Sequence, residues 1–185
     1  MALMLFCRVS VFAAAVGVGS TTFVDPLGRF ALELPPDWGQ QTGKSGTSGV
    51  SFQREVDGVP AYAAIRVIAF SQPMTLEAFV RAASNANRGA PGFRLLEEEA
   101  IPIAGKPGVR QRFILYINGD PKWPKMVEQR MVLVGDRGFV LHGETVAEAF
   151  GTFADDFVAM FASFRPALAA LPQLVAPPTG DSSLK

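Results

Sequence analysis

The sequence predicts an α+β fold, an antiparallel β-sheet of about six or seven strands flanked by two helices. Three observations carry the prediction. Segments of period-two alternation recur between residues 29 and 146, mostly separated by short turn sequences, and strands joined by short turns must run antiparallel. Two segments switch instead to the helical period, one around Leu76–Ala83 and one around Phe150–Phe164. Apolar residues make up 49% of the chain and charged ones 18%, the reverse of the balance that keeps a chain disordered. A length of 185 residues then corresponds to one ordinary domain with something left over at the ends.

Taken in order, Arg29 to Leu34 places Phe30, Leu32 and Leu34 on one face, and Pro35-Pro36 ends the strand. Gly49 to Val56 is the next strand, closed by the turn Asp57-Gly58. Ala61 to Phe70 follows, with Ala61, Ala63, Ile65, Val67 and Ala69 in register. Leu76, Phe79, Val80 and Ala83 mark a helix that begins after Pro73, with Thr75 as its N-cap and Glu77 in its first turn. Strands resume at Phe93 to Ile103, Val109 to Ile117, Met126 to Val134 and Phe139 to Val146. Gly135-Asp136-Arg137-Gly138 reads as the hairpin loop between the last two. Phe150, Phe153, Phe157, Phe161 and Phe164 then form a stripe down one helix face, expected to be core rather than a cofactor box. Thr145-Val146-Ala147-Glu148 reads as a capping box before that helix, and Pro166 as its stop.

The two ends read differently from the middle. Residues 1–20 combine an apolar run from Val9 to Val18 with small Gly17 and Gly19, the pattern of a cleaved signal peptide with a mature N-terminus near Ser20. Arg8, after MALMLFC, makes a greasy n-region. An uncleaved N-terminal anchor and a cytoplasmic protein are the alternatives. Bulky Phe6 before Cys7 fits a lipoprotein signal poorly. Pro166, Pro172, Pro177 and Pro178 exclude a helix from the last twenty residues, which read as a disordered tail. Leu168, Leu171 and Leu174 could dock it. The domain is expected over residues 22–165 and the tail over 166–185.

Composition excludes several functions. Lysine plus arginine and aspartate plus glutamate each number 17, so the net charge is zero and no basic field draws in nucleic acid. The one cysteine and one histidine exclude a disulfide framework, a thiolate cage and any HExxH-type metal site. Gly39 to Ser45 looks like a phosphate loop but has three residues between its glycines where four are needed. Gly46-Thr47-Ser48-Gly49 lacks the nucleophile-elbow pattern. Glu97-Glu98-Glu99 on a strand reads as a solvated edge, Asp155-Asp156 as water-facing, and Trp38 and Trp123 as loop anchors. No catalytic set, metal site or cofactor is expected.

One constellation remains. Arg110 and Arg112 share a sheet face, as do Glu128 and Arg130, and His142 and Glu144. If the three strands are neighbours and the pairs lie on one side, they form a patch of both signs, which Arg66 and Tyr62 extend. Such a patch suits a protein or a small polar ligand, with His142 as its titratable member. The competing reading is a cross-strand ion-pair ladder on a solvated face.

Asp25-Pro26-Leu27-Gly28-Arg29-Phe30, Leu34-Pro35-Pro36-Asp37-Trp38, Ile103-Ala104-Gly105-Lys106-Pro107-Gly108 and Phe161-Ala162-Ser163-Phe164 together resemble the PsbP-like superfamily. That is the fold of the extrinsic photosystem II subunit, also found in a eukaryotic Ran-binding import factor. The resemblance covers residues 22–165. It implies an antiparallel sheet flanked by helices, frequent export, and binding or assembly roles rather than catalysis; the matching positions are turn and core residues and carry no site. The function expected is a non-catalytic, extracytoplasmic binding or assembly-accessory domain with no membrane span in its mature form. Assembly through the apolar tail, or an enzyme with Glu128 and Glu144 converging in a cleft, are the alternatives.

Overall fold

Tight turns set the topology. In the computed structural model, which describes residues 19–41 and 48–167, Asp57 and Gly58 have φ of 52° and 78°, and Ala104 and Gly105 have φ of 49° and 73°. Positive φ at both central residues twists a two-residue turn to match its strands. These turns join β4 (Gly49–Val56) to β5 (Val59–Ala69) and β6 (Arg94–Ile103) to β7 (Lys106–Tyr116). Gly135-Asp136 joins β8 (Pro124–Val134) to β9 (Arg137–Val146) in another two-residue turn, with positive φ at Gly135 (62°) alone. A seven-stranded antiparallel sheet results, in the order β3-β4-β5-β9-β8-β7-β6, where β3 is the short strand Gly39–Gln40. Helix α1 (Leu76–Arg88) carries the chain from β5 across one face to the far edge. The meander β6 to β9 then returns until β9 pairs with β5.

The remaining strands form a second, three-stranded sheet in the order β1-β2-β10, made of Thr21–Val24, Phe30–Leu34 and Arg165–Pro166. The α+β class is as the sequence predicts, with this separate small sheet added. Its hairpin is built on Asp25, whose buried carboxylate accepts from the backbone N–H of Leu27 (3.2 Å) and Arg29 (3.1 Å) and from Arg29 Nε (2.7 Å). Burial alone would raise the Asp25 carboxyl, but these bonds to Arg29 hold it below its ordinary range. The paired elements run from Thr21 to Pro166, and the Ala167 N–H still bonds Arg29 O at 2.8 Å. The expected signal peptide up to residue 18, Cys7 and the expected tail from Leu168 lie outside the described residues, as does most of the glycine-serine loop.

Alternation along each strand gives the large sheet two covered faces. On one, Phe52, Ala63, Ile65, Val132, Phe139 and Leu141 pack beneath α2 (Phe150–Ala162) and the small sheet. The phenylalanine stripe is core, with Phe150, Phe153, Phe157, Phe161 and Phe164 all buried. Phe157 can lie against β9 because Gly143 has no side chain: a Cβ there would sit 2.7 Å from the ring. Trp38 is buried at 7% exposure and meets Phe157 edge-on at 5.6 Å. On the other face α1 covers Met131 and Val140 with Phe79. Its start is the predicted one, with the Thr75 hydroxyl accepting from the Ala78 N–H at 3.2 Å.

Three local readings are corrected. Thr145 does not open a capping box. It stays in β9 opposite Ala61, and its hydroxyl donates to Pro60 O at 2.9 Å, so strand pairing claims it. The helix starts at Phe150, after one 3-10 turn, without a side-chain cap. Asp156 does not face water: its carboxylate accepts from Trp38 Nε1 at 2.8 Å and from Arg54. Trp123 anchors nothing in the core, at 59% exposure.

Two stability predictions follow from this geometry. Gly143→Ala forces a methyl into the Phe157 ring and should destabilise by about 1–3 kcal/mol in urea unfolding. Ala104 holds a left-handed conformation that costs an alanine roughly 1–2 kcal/mol. Ala104→Asn, which supplies an Asn-Gly turn, should therefore raise the melting temperature.

Candidate functional site

The register decides which candidate residues meet. Strands β7, β8 and β9 are neighbours, as the shared patch requires. Arg112 stands opposite Glu128, and Arg110 opposite Arg130. Glu128, however, stands opposite Gly143, whereas His142 stands opposite Gln129 and Glu144 opposite Val127. Directly paired residues share a face and their sequence neighbours take the other. The single predicted patch is therefore two clusters on opposite sides of the sheet.

Arg110, Arg112, Glu128 and Arg130 lie on the α2 side. Arg110 Nη2 bonds Glu97 and Glu99 of the edge strand, each at 2.7 Å. Arg112 reaches Glu97 at 3.6 Å and donates through Nε to Glu128 at 2.8 Å. Arg130 donates to the other oxygen of Glu128 through Nε (2.8 Å) and Nη2 (2.7 Å), with its guanidinium 5.2 Å from the centre of the Phe161 ring. Burial of Glu128, whose side chain is 2% exposed, would raise its carboxyl. The two arginines beside it outweigh that and hold it below the ordinary range. Three arginines face three glutamates here, so the network is neutral and largely self-satisfied, as an ion-pair ladder should be.

Tyr62, Arg66, His142 and Glu144 lie on the α1 side, which α1 covers only in part. They line an open groove of about 490 Å³ together with Gln41, Ser51 and Asn87. Glu144 accepts from His142 Nε2 at 2.8 Å and from Lys125 Nζ at 2.8 Å. Burial would raise the Glu144 carboxyl, but His142 and then Lys125 outweigh it and pull it down to about 2. Asn87, at the end of α1, donates to Gln129 Oε1 at 3.2 Å, and Gln41 donates to Gln53 at 2.7 Å. Arg66 and the Tyr62 hydroxyl make no hydrogen bond or ion pair with the described residues.

Chemically, the groove lining holds polar donors, one cation in Arg66 and one carboxylate in Glu144, whose charge is met by Lys125 beside it. That suits recognition of an anionic or polar group. Proton transfer is less well served. Glu128 and Glu144 are on opposite faces and both are held ionised, so they do not form the split acid–base pair that carboxylate catalysis uses. Among the described residues no cluster of His, Cys, Asp and Glu could hold a metal ion, and no helix is long and apolar enough to cross a membrane.

Sequence reasoning missed Lys125, Gln129, Asn87, Gln41 and Ser51. Lys125 has the parity of Val127 and so faces Glu144; extending that strand two residues towards its start would have included it. Nothing in the sequence points to Asn87, whose place depends on where α1 crosses the sheet.

Glu144 also makes a pH prediction. Its carboxyl is lowered on folding, from 4.5 to about 2, so it stabilises the fold above pH 4.5 and that stability is lost as pH falls towards 2. Between pH 6 and pH 3 the Glu144→Gln variant should therefore lose about 2 kcal/mol less stability than the parent chain. Urea midpoints at the two pH values provide the check.

Neither a scan of family profiles nor a search of curated proteins finds a match to the sequence. Solved structures do match. LpqN of Mycobacterium tuberculosis, described as involved in cell envelope biogenesis, is 13% identical with a TM-score of 0.62, over 78% of this chain and 88% of that one. Cyanobacterial PsbP (CyanoP) from Synechocystis is 14% identical with a TM-score of 0.58, over 83% and 96%. The Ran-binding protein Mog1p of Saccharomyces cerevisiae is 10% identical with a TM-score of 0.56, over 80% and 95%. Identities this low carry the architecture and not the sites. The chain has the PsbP/Mog1 fold.

Proposed function

We propose that this chain is a non-catalytic, exported binding domain whose contact surface is the groove between α1 and strands β4, β5 and β9. Arg66, Tyr62 and His142 supply the contacts in this reading, and Glu144 holds His142 and Lys125 in place. Arg110, Arg112, Glu128 and Arg130 lock the opposite face together instead of binding. One observation carries the assignment: of the four candidate arginines, Arg66 alone has no partner among the described residues. A charge left unpaired beside a concavity is available to a ligand, whereas breaking a paired one costs the pair.

Binding and assembly agree with two proteins that share the fold, a Ran-binding protein and a protein involved in cell envelope biogenesis. Export rests on the apolar run from Val9 to Val18 with Gly17 and Gly19 after it. The envelope role of LpqN agrees with it. The tail remains the competing contact; it follows Ala167, whose N–H bonds Arg29 O.

The test is capture of partners from an extract of the native cells by the immobilised chain. Arg66→Ala should release partners that Arg110→Ala/Arg112→Ala retains. Release by truncation after Ala167, with Arg66→Ala binding as the parent does, would overturn the groove in favour of the tail.

A further inference from the structure

The groove is a pit around one small residue. Ala64 sits in the middle of β5, opposite Ser51 of β4 on one side and His142 of β9 on the other. Tyr62 and Arg66 are its neighbours two residues away along the strand, and so stand on the same face. Directly opposite side chains on a sheet start about 5 Å apart. An alanine ringed by longer polar side chains therefore leaves a depression, which the end of α1 closes at Asn87. Its volume of about 490 Å³ falls within the roughly 300–1,000 Å³ of small-molecule sites.

The charges around the pit select among anions. Among the described residues Arg66 offers an unbonded planar fork, and the Tyr62 hydroxyl is also unbonded. His142 has one ring nitrogen bound to Glu144. Two features oppose a multiply charged anion such as phosphate. Glu144 is a fixed negative charge on the rim. The helix end facing the pit is the C-terminal one, where carbonyls and the negative end of the dipole lie. A guanidinium fork matches the two oxygens of a single carboxylate, and the Ala64 methyl with the Tyr62 ring offers apolar surface to a flat body.

Building on the reading of this groove as the binding surface, we infer that it takes a small organic monocarboxylate, seated over Ala64 with its carboxylate on Arg66. The experiment uses the single histidine, whose ring signals in an NMR spectrum are assigned without ambiguity. Benzoate is titrated into the full chain at constant pH and ionic strength, with benzamide and inorganic phosphate as comparisons. Benzoate should shift the His142 ring signals saturably, with a midpoint near ~1 mM. Arg66→Ala should weaken this at least about tenfold, and Ala64→Leu, which fills the pit without altering charge, should abolish it. Should Ala64→Leu fail to fold, Arg66→Ala decides alone, with Arg66→Lys expected to keep attraction but lose the fork and bind more weakly than the parent. Silence with benzoate, an equal response to benzamide, or phosphate binding as tightly as benzoate would each overturn the carboxylate. Arg66-dependent capture of a protein with benzoate silent would overturn the carboxylate while sparing the groove.

Discussion

β5 and β9 lie far apart in the chain, with α1 and the strands β6, β7 and β8 between them, yet they are hydrogen-bonded from Ala61–Thr145 to Ala69–Arg137. Every other strand pairing in the large sheet joins consecutive elements. Closing so long a loop has an entropic cost that local hairpins avoid, and the buried row Ala61, Ala63, Ile65, Val67 against Phe139 and Leu141 offsets it. This pairing makes one sheet of two pieces. It also brings Ala64 beside His142 and Tyr62 beside Glu144, so the groove exists only once it has formed.

A second dependence is the division of labour between the two faces. The α2 side buries its charges among their own partners and adds an aromatic contact at Arg130. The α1 side is covered by a shorter apolar contact, Phe79 with Met131 and Val140, and leaves β4, β5 and the end of β9 open. Gly143 and Gly138 let the two helices approach this closely, since a side chain at either would meet an aromatic ring. Small residues thus set both the depth of the helix contacts and, at Ala64, the depth of the pit.

Much of this was legible in the sequence. Thr75, Glu77 and the periodic Leu76, Phe79, Val80 and Ala83 specify α1 by local rules, and the stripe of phenylalanines specifies α2. Strands of two residues such as β3 and β10 carry too few positions for periodicity and exist because a neighbour supplies hydrogen bonds. The capping reading of Thr145 failed because a tertiary partner, Pro60 O, outcompeted a local one. The split of the polar patch is a different kind of miss, because the information was present. A hairpin loop with an even number of residues pairs even positions with odd ones, whether the loop is Gly135-Asp136 or Gly135 to Gly138. Glu128 and Arg130 therefore could not share a face with His142 and Glu144. Arg66 and Tyr62 read as extending the whole patch, and the register leaves them with His142 and Glu144 alone; that Arg66 has no partner among the described residues depends on contacts that no single strand reveals.

The two edges of the large sheet are unlike one another. One is β3, a strand of two residues, too short to template another chain. The other is β6, ten residues long, carrying Glu97, Glu98 and Glu99 in succession. A second copy approaching β6 edge to edge would bring the same three carboxylates against these, and their mutual repulsion opposes the contact. The two ends of the sheet thus differ in what a neighbouring strand would meet, two residues of β3 at one and a run of carboxylates at the other. The carboxylates that brace Arg110 on the α2 face therefore also set the charge of the longer edge.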